Sequence, residues 1–250
     1  MSDTFKSDNA AIEIKGLSYI YHGEERPAIE DINLAIAGGE KVGIAGPNGA
    51  GKSTLLTHLN GIKTGKGEIA ILGKRIRKEN IKFVRKNVGL VFQDPDDQLF
   101  CPTVFEDVAF GPLNLGLDKE QIKEKVVSAL DAVGMTGYEK KSAFHLSFGE
   151  KKRIALATVL SMEPEILVFD EPSSNLDPRR RRMFIDHISS FQRTLIIASH
   201  DLDLLLDVCD RVVILDGGHI VADGAAATIL RDKSLLESHD LELPLSLQPR

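Results

Sequence analysis

The sequence predicts an α/β fold built on a mainly parallel sheet with helices on both faces, and three observations carry that prediction. Short apolar runs, Val42–Ala45, Ile166–Phe169, Leu195–Ala198 and Val212–Leu215, alternate with helical patterns. Strands that are apolar on both sides belong to a parallel sheet covered above and below. The first run leads into a glycine-rich loop that opens a helix, at the carboxyl end of a strand where such sheets bind ligands. From about Asp94 to Met162 the strand patterns stop, which marks a mostly helical insertion.

Element by element, Ile12–Lys15 and Leu17–Tyr21 alternate apolar and polar residues, a strand period, and His22–Gly23 supplies a turn. Ile29–Ile36 reads as a second strand ended by Gly38–Gly39. After the loop comes a helix with Leu55, Leu56 and Leu59, stopped at Asn60–Gly61. Residues 66 to 92 return to short strands around a basic stretch. In the insertion, Asp118 caps a helix carrying Ile122, Val126, Leu130 and Val133, and Ser147 begins another through Ile154, Ala157 and Leu160. Asp177–Pro178 starts a helix whose expected apolar face is Met183, Phe184, His187, Ile188 and Phe191. A further short helix carries Leu202, Leu205, Leu206 and Cys209. The last 25 residues or so show only weak signals. The expected organisation is a core of residues 8–93 and 163–224, a helical part over 94–162 and a tail over 225–250.

Composition narrows the function classes. At 250 residues the chain is one large domain or two small ones by the usual size of ~150 residues per domain. Hydrophobic residues make up 42% and charged residues 27%, as in soluble globular proteins. The net charge of −6 lacks the basic footprint of a nucleic-acid binder, so no nucleic-acid partner is expected. No apolar run approaches the ~20 residues that cross a bilayer, and the opening MSDTFKSDNA has no signal pattern. Cys101 and Cys209 stand apart and read as buried small hydrophobes in a reducing compartment. These features point to a cytoplasmic protein.

The chemistry concentrates in two places. Gly46–Pro47–Asn48–Gly49–Ala50–Gly51–Lys52–Ser53–Thr54 satisfies G-x-x-x-x-G-K-[ST] between a strand and a helix. The glycines let backbone N–H groups turn inward around phosphates, and the helix N-terminus adds partial positive charge. Lys52 then reaches the β- and γ-phosphates and the Ser53 hydroxyl coordinates Mg²⁺. Second, Ile166–Phe169 delivers Asp170 and Glu171 at a strand's carboxyl end. Asp170 is expected to hold Mg²⁺, through water, and Glu171 to orient or deprotonate the attacking water. An ordinary strand end with solvated acids looks the same in isolation; the phosphate loop upstream separates the two readings.

These motifs specify a P-loop nucleoside triphosphatase, and the residues between and after them resemble those of ABC (ATP-binding cassette) ATPases. Leu146–Ser147–Phe148–Gly149–Glu150 resembles the LSGGQ signature, Gln93 the Q-loop glutamine, Ser174–Asp177 the D-loop, and His200 the switch histidine. Tyr21 stands where that family stacks an aromatic on adenine. The resemblance runs from about residue 12 to 224. It implies a cassette with an antiparallel β-subdomain and a helical subdomain, binding ATP and Mg²⁺. Two copies, or one copy and a paralogue, would sandwich two ATP molecules, each site pairing one subunit's phosphate loop with Ser147 and Gly149 of the other. In such a pair Gln93 touches Mg²⁺ and reports to a membrane partner, His200 contacts the γ-phosphate, and Asp177 links the two sites.

Four of these residues have plainer readings. Ser147 and Glu150 form an S-x-x-E capping box that any helix can use, His200 alone reads as a surface histidine, and Tyr21 could simply pack. The Arg179–Arg182 run reads as a solvated helix face. The chain also departs from the family at Phe148, where glycine is usual, and at Glu150, where glutamine is usual. A bulky side chain and a negative charge near phosphate point to slow turnover or a restricted geometry.

One cassette without a membrane span looks like a separate transporter subunit. Val91–Phe100 followed by Phe105–Pro112 closely resembles the ATPase components of energy-coupling-factor importers, and most of all their cobalt/nickel branch. That likeness implies a transmembrane coupling subunit, a substrate-binding membrane subunit and a peripheral place on the cytoplasmic face of the cell membrane. A vitamin importer of the same type is the alternative. A soluble ABC ATPase acting on DNA or ribosomes usually has coiled-coil arms or two linked cassettes, and neither is seen in this sequence. A P-loop kinase lacks the signature, the D-loop and a residue like His200. The seven histidines are scattered, so cargo selection is expected to belong to membrane partners.

Overall fold

The computed structural model describes residues 9–248; most of the opening segment read above for a signal pattern lies outside them. The elements in order are β1 (Ala10–Tyr19), β2 (Ile29–Ala37), β3 (Lys41–Ala45), α1 (Lys52–Leu59), β4 (Lys66–Ile71), β5 (Lys74–Arg75), α2 (Ile81–Asn87) and β6 (Val88–Val91). Then come α3 (Val104–Asn114), α4 (Lys119–Ala132), α5 (Phe148–Leu160), β7 (Ile166–Asp170), α6 (Pro178–Ser189), β8 (Thr194–Ala198) and α7 (Leu202–Val208). The chain continues through β9 (Arg211–Asp216), β10 (His219–Ala225), α8 (Ala226–Ile229) and α9 (Lys233–Glu237).

The strands form two sheets among the described residues. One has the order β10-β9-β3-β8-β7-β6, with β9, β3, β8, β7 and β6 parallel and β10 antiparallel at its edge. The other, β2-β1-β4-β5, is antiparallel throughout. The four apolar runs are β3, β7, β8 and β9, and Val42, Ile44, Leu167, Phe169, Ile196 and Val213 are all buried. Apolar packing divides across the parallel sheet. On one side Ile44, Val168, Ile196 and Val213 share a cluster with Leu55 and Leu59 of α1 and Ile12, Ile14 and Ile32 of the antiparallel sheet. On the other, Leu167, Phe169 and Ile197 share one with Val108, Val126, Leu130 and Ile154 of α3, α4 and α5.

Several local expectations change. The basic stretch contains α2, whose one buried residue, Val84, is too sparse a stripe to announce a helix. The insertion has a third helix, α3, with a capping box between Thr103 and Glu106. Gly111 and Pro112 disguise it, because both residue types normally punctuate helices; at Gly111 a Cβ would lie 2.6 Å from Met162. On α6 the buried positions are Phe184, Ile185 and Ile188, while Met183 is 62% exposed. On α7 Leu204 is fully buried and Leu206 only half-buried, and Cys209 follows the helix. Cys101 is half-buried and Cys209 buried. The tail packs on the core through Leu230, Leu236 and Leu241, and His239 Nδ1 lies 2.8 Å from Asp216 Oδ2. Short helices with few apolar residues leave little periodicity to read.

Candidate functional site

The phosphate loop leaves β3 under tight steric control. Gly46 has φ +152°, and a Cβ there would stand 2.1 Å from the Leu215 carbonyl oxygen of β9. Gly51 has φ +101°, and a Cβ would stand 2.4 Å from the Ala28 carbonyl oxygen. Only glycine fits either place. Between them Pro47, Asn48, Gly49 and Ala50 turn the chain, with the Ala50 amide donating to the Pro47 carbonyl at 3.2 Å. Lys52 opens α1, and its Nζ donates to the Gly46 and Pro47 carbonyls at 2.7 and 3.0 Å. Burial pushes this ammonium below its ordinary pKa, against the opposing pull of Glu171 and Asp170.

β7 and β8 place the acidic groups beside it. Burial pushes the Asp170 carboxyl up, while a hydrogen bond from the Ser53 side chain counteracts part of the rise. Its Oδ1 is buried without a hydrogen-bond partner in the structure. Gln93 and Asp170 face the same cleft, about 370 Å³, together with Asp94, Phe148 and Asn175. Hydroxyl, amide and carboxylate oxygens, one of them buried and unpaired, form a donor set suited to a hard divalent cation. Ser53, Gln93 and Asp170 therefore fit Mg²⁺.

Glu171 is 6% exposed and sits at φ +45°, a left-handed conformation that a non-glycine residue adopts under constraint. Its amide donates to the Ala198 carbonyl at 2.9 Å. Its carboxylate accepts from Ser199 Oγ at 3.1 Å and from the His200 amide at 3.0 Å, and His200 Nδ1 lies 2.8 Å from Oε2. A carboxylate fixed this way, opposite a phosphate loop, is placed to take a proton from water. Ser199 was not singled out from the sequence; its place before His200 at a strand's carboxyl end was the available signal.

The remaining residues lie around this centre. The Tyr21 ring is partly exposed, its hydroxyl 3.0 Å from Thr54 Oγ1 and Lys63 Nζ 4.5 Å from its centroid. Ser147 caps α5 and Gly149 is buried in its first turn. The Ser147 hydroxyl donates to Glu150 Oε2 at 2.7 Å and its amide at 2.9 Å, while the Tyr138 hydroxyl donates to Oε1 at 2.9 Å. These hydrogen bonds, the Ser147 hydroxyl first, hold the Glu150 carboxyl down at about 2. Tyr138, like Ser199, escaped the sequence reading, because nothing in the sequence pairs it with Glu150. Asp177 is exposed just before α6, and its carbonyl accepts from the Arg181 amide at 2.8 Å. Arg181 is more than a solvated face: it grips Asp201 through Nε and Nη2, each at 2.7 Å.

Comparison with known proteins gives this geometry a family. The model for the ABC transporter family matches residues 29–174. The chain is an ABC-family ATPase. A putative ABC transporter ATP-binding protein of Gloeobacter violaceus is 51% identical over 237 residues, covering 94% of this chain and 97% of the relative. An energy-coupling factor transporter ATP-binding protein of Carboxydothermus hydrogenoformans is 47% identical over 241 residues, covering 95% and 88%. Among solved structures, cbiO1 of Clostridium perfringens, part of the ABC transporter complex cbiONQ, is 36% identical with a TM-score of 0.79, covering 95% of this chain and 97% of that one. As an ABC ATPase the chain binds and hydrolyses ATP. Among the described residues no helix is long and apolar enough to cross a membrane.

Proposed function

We propose that this ATPase is the energy-coupling subunit of a membrane importer, with cobalt or nickel ions as cargo. The observation that carries the reading is the likeness to cbiO1 over nearly the whole of both chains. The close resemblance of the 91–112 segment to the cobalt/nickel branch adds to it. A vitamin importer of the same type is the alternative, favoured by the relatives named only for energy coupling.

In this reading the loop from Gly46 to Thr54 holds the phosphates, Tyr21 packs on adenine, and Ser53, Gln93 and Asp170 hold Mg²⁺. Bound Mg²⁺ supplies neutralisation of the phosphate oxygens. Glu171 orients water and accepts its proton, and Ser199 and His200 keep its carboxylate aimed. Ser147, Gly149 and Asp177 face the second ATPase subunit, a copy of this chain or a paralogue. A transmembrane coupling subunit docks next to Gln93, where a groove of about 650 Å³ opens at Phe92 between α2, α3 and α5. Ile62, Phe100 and Phe110 offer it apolar contacts, and Lys82 and Arg85 border it. The subunit then works peripherally on the cytoplasmic face of the membrane, beside a separate substrate-binding subunit.

The test is uptake by membranes holding the whole complex. Accumulation of Co²⁺ or Ni²⁺ that is lost with Glu171→Gln supports the reading. Uptake of a vitamin instead rejects the cargo and leaves the ATPase standing.

A further inference from the structure

Lys152, in the second turn of α5, is 4% exposed although it carries a long charged side chain. Buried lysines need partners, and this one has four oxygens within hydrogen-bonding distance. Its Nζ donates to the carbonyls of Glu171 at 3.1 Å, Pro172 at 2.9 Å and Ser174 at 2.9 Å, and lies 3.0 Å from Ser174 Oγ. An ammonium has three protons, so these four acceptors share all it can donate. The Phe148 ring lies on another side, 5.4 Å from Nζ to centroid.

The segment so gripped is conformationally costly. Glu171 and Asn175 both have positive φ, +45° and +60°, and neither is glycine. Such backbone persists only where its surroundings over-determine it. Ser174 Oγ donates back to the Glu171 carbonyl at 2.8 Å, and Ser173 Oγ donates to Asp201 Oδ2 at 3.0 Å. Asp201 holds the outer side of the segment and Lys152 the inner side.

We propose that Lys152 is a positioning residue for hydrolysis, clamping the backbone of residues 171–174 so that the Glu171 carboxylate and the 174–177 loop keep one geometry relative to the helix that begins at Ser147. The clamp joins two parts of the chain that the sequence keeps apart. α5 belongs to the helical insertion, and Glu171 belongs to the strand that carries the acidic pair. A shift of α5 therefore moves the backbone at Glu171 and just after it. Burial lowers the Lys152 ammonium to about 8, while the Glu171 and Asp94 carboxylates pull the other way. The inference rests on Glu171 being the group that activates water.

The experiment compares the full-length wild type, Lys152→Met and Glu171→Gln for ATP affinity, KM and kcat. Methionine keeps an unbranched stem and removes every donor. We expect kcat of Lys152→Met to fall between about tenfold and a hundredfold, with KM and ATP affinity within about twofold, because misplacing a catalytic group costs rate rather than binding. Amide hydrogen exchange at residues 173–176 should rise in the same variant. A kcat within about twofold of wild type overturns the proposal. So does a loss of kcat matched by loss of ATP binding, the mark of general unfolding. If Lys152→Met does not fold, Lys152→Gln decides, since its shorter neutral amide cannot reach all three carbonyls: kcat must fall with ATP affinity kept, and wild-type kcat overturns the clamp. Retained turnover in Glu171→Gln instead condemns the assignment of Glu171, whatever the lysine variant does.

Discussion

His200 and Glu171 are held to each other at two points: the His200 amide donates to Glu171 Oε1 at 3.0 Å, and His200 Nδ1 lies 2.8 Å from Oε2. The carboxylate is buried and the imidazole side chain is 63% exposed. One end of the histidine thus fixes the buried group while the other reaches into the open site. The same residue can aim Glu171 and touch a phosphate.

That pairing sets the expected order of damage. Glu171→Gln should keep ATP binding, lose most turnover and accumulate an ATP-bound dimer on size-exclusion chromatography. His200→Ala leaves the amide and Ser199 contacts in place, so kcat should fall about tenfold or more but less than in Glu171→Gln. Lys52→Ala should weaken nucleotide binding itself. Near-normal turnover in purified Glu171→Gln protein would reject the assignment.

The structure separates the two departures at the signature. Phe148 lines the cleft with Gln93 and Asp170, so Phe148→Gly should raise ATPase activity in matched assays. Glu150 is occupied in capping α5, and Glu150→Ala, which removes every acceptor, should lower stability by about 0.5–1.5 kcal/mol, the usual net worth of an intramolecular hydrogen bond. The sequence alone reads both departures the same way, as slowing turnover or restricting the geometry. Denaturant unfolding of each single variant decides the matter: unchanged stability in Glu150→Ala would sink the capping account.

Glu150 also predicts a dependence on acid. Its folded pKa, about 2, lies below the ordinary glutamate value of 4.5. A carboxylate depressed in this way stabilises the fold above its unfolded pKa, and the contribution disappears as pH falls toward the folded value. The gap in urea midpoint between wild type and Glu150→Gln should be full at pH 6 and shrink between pH 4.5 and 2. A gap that stays constant across that range contradicts the sign.

Cargo ions should not bind the isolated subunit. Among the described residues no group of three or more His, Cys, Asp or Glu side chains could hold a metal ion. Calorimetry with Mg²⁺-ATP present should therefore show no tight Co²⁺ or Ni²⁺ site, since such metals favour imidazole and thiolate ligands brought together. A tight site would overturn the division of labour with the membrane subunits.

The sequence by itself determined whatever depends on neighbours along the chain. Gly46 to Thr54 carries its own turn and helix start, the apolar runs announce buried parallel strands, and Ser147 with Glu150 announces a cap. These signals are local, because a short peptide's sterics and hydrogen bonds decide them. Tertiary structure decided what depends on residues distant in the chain. Glu171 meets Ser199 and His200 only when β7 and β8 lie side by side, Glu150 meets Tyr138 only when α5 packs, and Arg181 finds Asp201 only across α6 and α7. In the sequence Lys152 is the middle one of three consecutive basic residues, Lys151 to Arg153. It became a buried four-oxygen clamp because burial and the direction of a long side chain are properties of the packed fold, and no local pattern encodes them.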